Sequence, residues 1–440
     1  MSLLWDAQTG GVPKYRAVVY PEVFEGRDEN TKVLRINDEI TLNLQPGSIL
    51  HEDFFLRTYR EGFPEHRYFD VEILQQDLYY DSSELAAVIL SEEDGTLKVE
   101  GVVGPKLKIR PIEGSERSEN GRQAHVVDTI EDADSDNVYG KLRKDIRITE
   151  RSSQARTGFD PTAYNVEVVY PELFMVCDSR FASGFTEVSH LIKYVMVSLQ
   201  VVNIRYRTVS HPKVHLLLRG IEVSNYTQEH LYYEYLREGG IDALKSLYNI
   251  VEYVKKRAEA YESFDLIYFQ TGYDMVAVQG TRREESLSGY AFVGSACTAS
   301  REQLGEDTAY TYRGIRITAH EIGHTLGCSH DGTAIDGHVK GFRADSTNCP
   351  WDDGYLMSYV EQDIRSMRFS SCCNYDISRL SWMYETSCLR TNSSVIISKK
   401  WKTVFKLPGE YLNKDKQCQL TYPTLRRTYF IKCMLQHNER

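Results

Sequence analysis

Three absences narrow the class of protein to which this chain can belong. Basic residues are outnumbered by acidic ones, 52 to 63, and the net charge of −11 argues against a nucleic-acid partner, because phosphate binding needs clustered basic surface. No run of 18 apolar residues occurs, so we expect no membrane span. Near the start of the chain Asp6 interrupts the short apolar patch Leu3–Trp5, so no signal peptide is evident and a secreted chain would begin after its signal.

Cysteine is also absent before Cys177, although the chain has nine. Cys177 follows an apolar run and is predicted to be a buried free thiol. The other eight could form four disulfides, which favours an oxidising, extracellular compartment over the alternative of reduced cytosolic thiols. These eight are Cys297, Cys328, Cys349, Cys372, Cys373, Cys388, Cys418 and Cys433.

The first quarter of the chain has the pattern of β-strands. Residues 15–112 alternate apolar and polar side chains, as at Ile40, Leu42 and Leu44, with Gly- and Pro-containing turns between the runs. At 440 residues the chain is long enough for two or three domains. We therefore expect a mostly β domain at residues 1–112.

A charged segment follows this region. Residues 113–163 are rich in Glu, Ser, Asp, Arg and Gly with little periodicity, which predicts an exposed, flexible linker. A basic tetrapeptide, Lys141–Lys144, lies within it and is either a processing site or simply a solvated run.

Beyond residue 163, strand-like and helical segments alternate, which is typical of an α/β domain with a largely parallel sheet. The pattern predicts strands at 172–177, 214–218, 265–270 and 290–297, with helices at 188–202 and 241–254.

Residues 320–331 read His-Glu-Ile-Gly-His-Thr-Leu-Gly-Cys-Ser-His-Asp. Positions i and i+4 of a helix share a face, so His320 and His324 can hold one metal ion. Gly327 permits a left-handed turn out of the helix, after which His330 is expected to return as the third ligand. Three protein ligands leave one position of a zinc ion open, which is typical of catalytic zinc.

Glu321 follows the first ligand and can reach that open position. Zinc lowers the pKa of a bound water and polarises a carbonyl, and Glu321 as general base would take the proton of that water. Peptide hydrolysis is the expected reaction. The alternative, a helix that carries His and Glu by chance, is disfavoured by the added glycine and third histidine.

The motif resembles that of the metzincin metalloproteases, and Asp331 after the third histidine resembles the adamalysin or reprolysin branch, which includes the ADAM enzymes. Salivary reprolysin-like metalloproteases of ticks look most similar. The resemblance covers most of residues 165–390, with Gly289–Cys297 similar to the substrate-flanking edge strand and Tyr355–Ser358 similar to the Met-turn.

This resemblance implies a domain plan. A reprolysin-type propeptide domain at 1–112 and the linker at 113–163 would precede an α/β metzincin catalytic domain at 164–392. A truncated disintegrin-like or cysteine-rich segment would follow at 393–440. The propeptide region has no cysteine that could bind the zinc, so latency would be steric.

The resemblance also implies roles for single residues. Met357 would form the hydrophobic floor beneath the zinc, and Tyr359 would be a wall residue. A structural calcium ion, Ca2+, would use Glu172, Asp265 and Asn392, with solvated acids as the alternative.

Disulfides and glycosylation are expected as well. By the same analogy Cys297 pairs with Cys388, and Cys349 pairs with Cys372 or Cys373. The sequons at Asn225 and Asn392 are candidate glycosylation sites.

The expected function is that of a secreted, monomeric zinc (Zn2+) metalloendopeptidase. It would bind extended segments of extracellular proteins as an added strand beside Tyr290–Ser295, and the tick resemblance implies host matrix or clotting proteins as substrates. An inactive binding paralogue is the main alternative, against which the intact Glu321 argues. A zinc aminopeptidase is disfavoured, since those enzymes usually take a glutamate as the third ligand.

Overall fold

The structure is a computed structural model. It describes residues 15–93, 95–112, 121–130, 138–139 (backbone only), 158–334, 337–338 and 341–391. Residues up to Asn392 pack as one unit, and a second unit, Ser393–Arg440, lies outside the described residues together with Asn392 itself.

The N-terminal region is built almost entirely from strands, as its alternation predicted. Its elements are β1 (Arg16–Val19), β2 (Glu22–Glu25), β3 (Lys32–Arg35), β4 (Thr41–Pro46), β5 (Leu50–Arg60), β6 (Phe63–Tyr68), α1 (Val71–Gln75), β7 (Leu78–Asp81), β8 (Ala86–Glu93), β9 (Thr96–Gly104), β10 (Leu107–Pro111) and β11 (His125–Thr129). Nine of these strands form an antiparallel sheet in the order β1-β11-β10-β9-β8-β7-β4-β3-β2. In β4, Leu42 and Leu44 are buried while their neighbours face solvent, which is the period-2 pattern of a half-buried strand.

The rest of the chain alternates strands and helices. The strands are β12 (Val138–Tyr139), β13 (Val168–Val169), β14 (Glu172–Cys177), β15 (Lys213–Val214), β16 (Leu217–Val223), β17 (Ile241–Asp242), β18 (Leu266–Thr271), β19 (Met275–Gln279), β20 (Arg282–Ala291) and β21 (Glu302–Glu306). The helices are α2 (Ser179–Ala182), α3 (Val188–Tyr206), α4 (Tyr226–Glu229), α5 (Ala243–Lys256), α6 (Ala258–Tyr261), α7 (Gly314–Thr325) and α8 (Ser371–Ser381), with 3-10 turns at Ala163–Asn165, Trp351–Asp353, Ile364–Met367 and Tyr384–Arg390.

A second sheet runs in the order β17-β19-β20-β21-β18-β14-β16-β5-β6, with β12 beside β20. Its pairs are parallel except for β19 with β20, β20 with β21 and β5 with β6, so the sheet is mixed and largely parallel, as predicted. A small sheet pairs β13 with β15. No helix in the described part of the chain is both long enough and apolar enough to cross a membrane.

Helix α3 lies between the two sheets. It packs on β7, β8 and β9 on one side and on α7 on the other. Almost every residue from Leu191 to Tyr206 is buried, because a helix covered on both sides has no solvent face. The sequence predicted the helix but not its position between two sheets.

The predicted linker at 113–163 contains regular structure at residues 125–129. Residues 125–129 form β11, which pairs between β1 and β10 with Val126 and Val127 buried. Near the other end of this segment, Phe159 forms a β-bridge with Met383. These pairings were not predicted, because a five-residue strand within a mostly polar segment is too short to show a clear periodicity.

The predicted strand at 290–297 is wrong over most of its length. β20 ends at Ala291, and the chain turns through Gly294, whose φ is 75°, and Cys297, whose φ is 64°. The Gly294 amide donates to the His324 carbonyl at 2.8 Å. The apolar run is buried against the end of α7 and does not continue the sheet.

Candidate active site

Helix α7 carries the two histidines of the motif and is buried along its whole length. Its first turn is held by Asp307, whose Oδ1 accepts from the Gly314 amide at 3.0 Å and from the Thr308 amide at 2.8 Å. The other oxygen of Asp307 accepts from the Tyr194 hydroxyl at 2.7 Å. An acid that binds several donors at a helix start fixes the direction in which the helix leaves.

The chain leaves α7 through a glycine turn, as the sequence predicted. Gly327 has a φ of 116°, and a Cβ there would lie 2.9 Å from the ring of Phe342. The Cys328 amide donates to the Gly323 carbonyl at 2.9 Å, which closes the turn. The following residues bring His330 back to the helix.

The structure brings the three imidazoles together. Nε2 of His330 lies 3.1 Å from Nε2 of His320 and 3.1 Å from Nε2 of His324. A tetrahedral zinc ion with bonds of about 2.0 Å would place its ligand nitrogens about 3.3 Å apart. The cluster therefore has the size that such an ion requires.

Hydrogen bonds set which ring nitrogens face the centre. Nδ1 of His320 lies 2.9 Å from the Leu356 carbonyl, and Nδ1 of His324 lies 2.7 Å from the Cys328 carbonyl. A carbonyl only accepts, so both Nδ1 atoms carry the proton and both Nε2 atoms present lone pairs. Burial, together with the two neighbouring histidines, lowers the pKa of His320 well below its usual value. Neutral imidazoles with converging lone pairs repel one another unless a cation lies between them, so these residues fit a zinc ion.

Glu321 is fully buried, and neither of its carboxylate oxygens has a hydrogen-bond partner among the described residues. Burial raises the pKa of this carboxyl group well above its usual value. Its side chain lies against the backbone of β20, where a Cβ on Gly289 would come within 2.8 Å of the Glu321 Cγ. An unpaired buried carboxyl group is costly for a fold, and such groups are concentrated at functional sites.

The turn below the histidines contains Met357, which is fully buried. Its sulfur lies 3.1 Å from the position that a Cβ on Gly323 would take, directly beneath α7. The Met357 carbonyl accepts from the Asp331 amide at 3.1 Å, and Asp331 Oδ1 accepts from the Ser370 hydroxyl at 2.6 Å. These bonds tie the third histidine's segment to the Met-containing turn.

Tyr359 lies beside the cluster. Its ring centroid is 5.6 Å from that of His330 and 4.6 Å from that of Trp351, with both pairs edge to face. This position agrees with the predicted wall residue.

Three disulfides surround the histidine segment. The predicted Cys297–Cys388 pairing is confirmed, and Cys349 pairs with Cys372. The sequence did not predict the third, Cys328–Cys373, because spacing cannot fix connectivity. Cys177 is a buried free thiol, as predicted, while Cys418 and Cys433 lie outside the described residues.

The acids predicted to bind calcium are neighbours, since the Glu172 amide donates to Asp265 Oδ2 at 3.0 Å. The Glu172 carboxylate forms a buried ion pair with Arg219, so its charge is already balanced within the protein. Asn392, the third candidate, lies outside the described residues. The calcium site stays a prediction.

Two features of the site were missed from the sequence. One is the role of Gly289 in making room for Glu321, and the other is β12, which pairs in parallel with β20 at Leu287 and Gly289. The Gly289-Tyr290 dipeptide within a strand was a signal for the first, because a strand glycine often marks a close approach. No pattern in the sequence indicated the second.

Comparison with known proteins agrees with this geometry. Residues 171–370 match the reprolysin-type family described as Metallo-peptidase family M12. The venom metalloproteinase BumaMPs1 of Olivierus martensii is 26% identical over 376 residues, which cover 82% of this chain and 89% of that protein. A Bombyx mori protein named "A disintegrin and metalloproteinase with thrombospondin motifs like" is 26% identical over 404 residues, covering 78% of this chain and 57% of that protein.

Among solved structures, metalloproteinase-II from Bacteroides fragilis aligns with a TM-score of 0.37 at 10% identity, covering 86% of this chain and 92% of that chain. A score at that level carries no argument about the fold. The sequence matches define the class of protein: this chain is a zinc metalloendopeptidase, and its residues 171–370 are similar to the reprolysin-type enzymes of family M12. The particular similarity to tick salivary enzymes stays a prediction.

Proposed function

We propose that the chain is a secreted endopeptidase in which His320, His324 and His330 hold the catalytic zinc and Glu321 is the general base. The observation that carries this proposal is the convergence of three Nε2 atoms beside a buried carboxyl group that has no other hydrogen-bond partner in the described structure. Structural zinc sites usually close their shell with four protein ligands, and the third disulfide removes Cys328, the nearest cysteine in the chain, as a candidate fourth.

The residues divide the chemistry between them. A bound zinc ion would supply Lewis acidity and would make a water molecule acidic enough to lose its proton near neutral pH. Glu321 would accept that proton and deliver it to the leaving amine. The Leu356 carbonyl orients the His320 ring, the Cys328 carbonyl orients the His324 ring, and Met357 packs beneath α7.

Strand β20 supports a binding mode for substrates. β20 lies between β19 and β21, but β12 also pairs with it at Leu287 and Gly289, so this stretch of β20 accepts a further extended backbone next to Glu321. We propose that a substrate takes the place of β12, somewhat earlier along the chain than the Tyr290–Ser295 segment suggested by the sequence.

This arrangement would also make the intact chain a latent proenzyme. β12 would occupy this stretch of β20 without the help of a cysteine, in accordance with the steric latency expected from the sequence, and residues 1–112 keep the proposed role of a propeptide. The proposal has three further parts. The enzyme is a monomer, its substrates are extracellular proteins, and in a salivary setting these would be host matrix or clotting proteins.

The inactive-paralogue alternative has no support in the site. Glu321 is present and lies beside the three histidines, and none of the described residues replaces a member of the motif.

The proposal is tested by metal content and hydrolysis together. The processed protein, a His330→Ala variant and a His190→Ala variant would be compared for bound zinc and for digestion of a denatured protein, each with and without chelator. His190 lies at the start of α3, where its ring contacts the Thr186 hydroxyl, and it is not a member of the histidine cluster, so it serves as the matched control.

We expect about one zinc ion per chain and chelator-sensitive digestion for the parent and for His190→Ala. His330→Ala should lose both properties. Equal digestion by all three proteins in the presence of chelator would refute the zinc mechanism.

A further inference from the structure

The N-terminal region, defined here as residues 15–130, does not only lie against the catalytic domain: it supplies a strand to the catalytic sheet. β5 pairs in parallel with β16 from Leu50 opposite Leu218 to Arg57 opposite Glu222. The Leu218 amide also donates to the Ile49 carbonyl at 2.7 Å. Without β5, β16 would become an open parallel edge, and parallel strands are seldom left uncovered.

A buried ion pair joins the two strands. Arg57 is 3% exposed and Glu222 is fully buried, and Arg57 Nη1 donates to Glu222 Oε2 at 2.8 Å. Arg57 Nη2 donates to the Ala260 carbonyl at 2.9 Å, and the Tyr59 hydroxyl donates to Glu222 Oε1 at 3.0 Å. Removing one partner of a buried pair is strongly destabilising, because the other charge is left uncompensated.

The N-terminal region and α3 also share one hydrophobic core. Leu78, Ile89 and Val102 of the antiparallel sheet belong to the same hydrophobic cluster as Val195 and Val201 of α3. Departure of this sheet would expose one whole side of α3, a helix whose residues are buried on every side.

A series of charged contacts connects the N-terminal region with α7 and the residues before it. Lys106 Nζ lies 3.5 Å from a carboxylate oxygen of Glu361, whose other oxygen lies 2.7 Å from Nε of Arg316 on α7. Lys108 Nζ donates to the Tyr310 carbonyl at 3.0 Å, just before α7 begins. The N-terminal region thus contacts the elements on both sides of the histidine cluster.

We propose that the N-terminal region remains bound after the chain is cut in the linker, so that the mature enzyme is a non-covalent complex of two chains. The surface formed by β16 and α3 is then a permanent binding surface for residues 15–130, and only β12, in the linker, has to leave β20 before a substrate can bind. This inference rests on the proposed processing of the chain, but not on its hydrolytic activity.

The test uses the full chain with Glu321→Ala, which prevents self-digestion, and with a recognition sequence for a site-specific protease in place of residues 146–152. After complete cutting, the protein is passed through a size-exclusion column in low and in high salt. We expect both fragments to elute together in both buffers, because a buried pair and an apolar interface are little screened by salt.

Two variants sharpen the result. Arg57→Ala should lower the fraction of N-terminal fragment retained several-fold. Arg60→Ala, at the exposed end of the same strand with only a 3.9 Å contact to Glu65, should retain as much as the parent. If Arg57→Ala fails to fold, the cut parent protein still decides the question.

Separate elution of the two fragments, with the catalytic fragment still folded by circular dichroism, would overturn the proposal. Failure of the peptidase proposal would leave this measurement unchanged, since no step of it depends on hydrolysis.

Discussion

Two fully buried glutamates in this protein have opposite surroundings. Glu222 accepts hydrogen bonds from Arg57, Tyr59 and Tyr261, whereas Glu321 accepts none from the described residues. Both are 0% exposed, so burial alone does not separate them. A carboxylate whose acceptors are all used holds strands together, while one that is kept unpaired is available to a reacting group.

The largest expected effect is on the unpaired glutamate. Glu321→Gln keeps the shape of the side chain but cannot accept a proton, so kcat/KM for a peptide substrate should fall by about 10³-fold. Zinc content and the free energy of unfolding should stay at the parent level or improve, since a buried ionisable group is removed. Parent-level hydrolysis by this variant would show that Glu321 is not the base.

Disturbing the paired glutamate, Glu222, should lower the stability of the fold. Arg57→Ala leaves Glu222 without its cation and should lower the free energy of unfolding by about 3–5 kcal/mol, measured by urea denaturation. Arg60→Ala, on the same strand but largely exposed, should change it by less than about 0.5 kcal/mol. Equal losses in the free energy of unfolding for the two substitutions would show that the buried ion pair does not stabilise the fold more than the exposed one.

A smaller effect is expected from the strand that faces Glu321. Gly289→Ala would place a methyl group against the Glu321 side chain and displace its carboxyl group, so kcat/KM should fall about 10- to 100-fold with zinc content unchanged. Gly104→Ala in β9 has room for the added carbon, with the nearest atom 4.0 Å away, and serves as the control. A parent-like Gly289→Ala enzyme would show that the space above Glu321 is not needed.

Glu306 has fewer hydrogen-bond donors than Glu222 and more than Glu321, and its substitution should have the smallest effect, on the pH dependence of stability. It accepts one backbone amide, from Met275, and burial raises the pKa of its carboxyl group from 4.5 to about 8. Between about pH 4.5 and pH 8 the folded protein keeps a proton on Glu306 that the unfolded chain has already lost. The free energy of unfolding therefore falls as the pH rises through that range. Glu306→Gln should flatten this dependence of Tm on pH, and an unchanged slope would contradict the assignment.

The residues of the site were predictable from sequence because their spacing is local. His320, His324 and His330 lie within one helix and one turn, and Gly327 marks that turn, so short-range geometry was sufficient. Cys349 with Cys372 could be narrowed to two choices only, because connectivity depends on the folded path.

The arrangement of the sheets was not predictable in the same way. The alternation in β5 shows that the segment is a strand but not which strand it joins, and its partner β16 is more distant in sequence than any local pattern reaches. The same limit applies to β12 on β20. The residues of a strand determine which of its faces is buried. Which other strand it pairs with depends on all the strands that are available in the fold.

The crosslinks Cys328–Cys373 and Cys349–Cys372 enclose the stretch that follows the third histidine, where 3-10 turns and loops replace longer elements until α8. Covalent bonds fix the ends of this stretch, and between them Leu356 and Met357 are packed in the core beneath α7. Insertions and substitutions at exposed positions between the anchored ends should therefore be tolerated, which leaves this rim of the cleft free to diversify while the three histidines keep their positions.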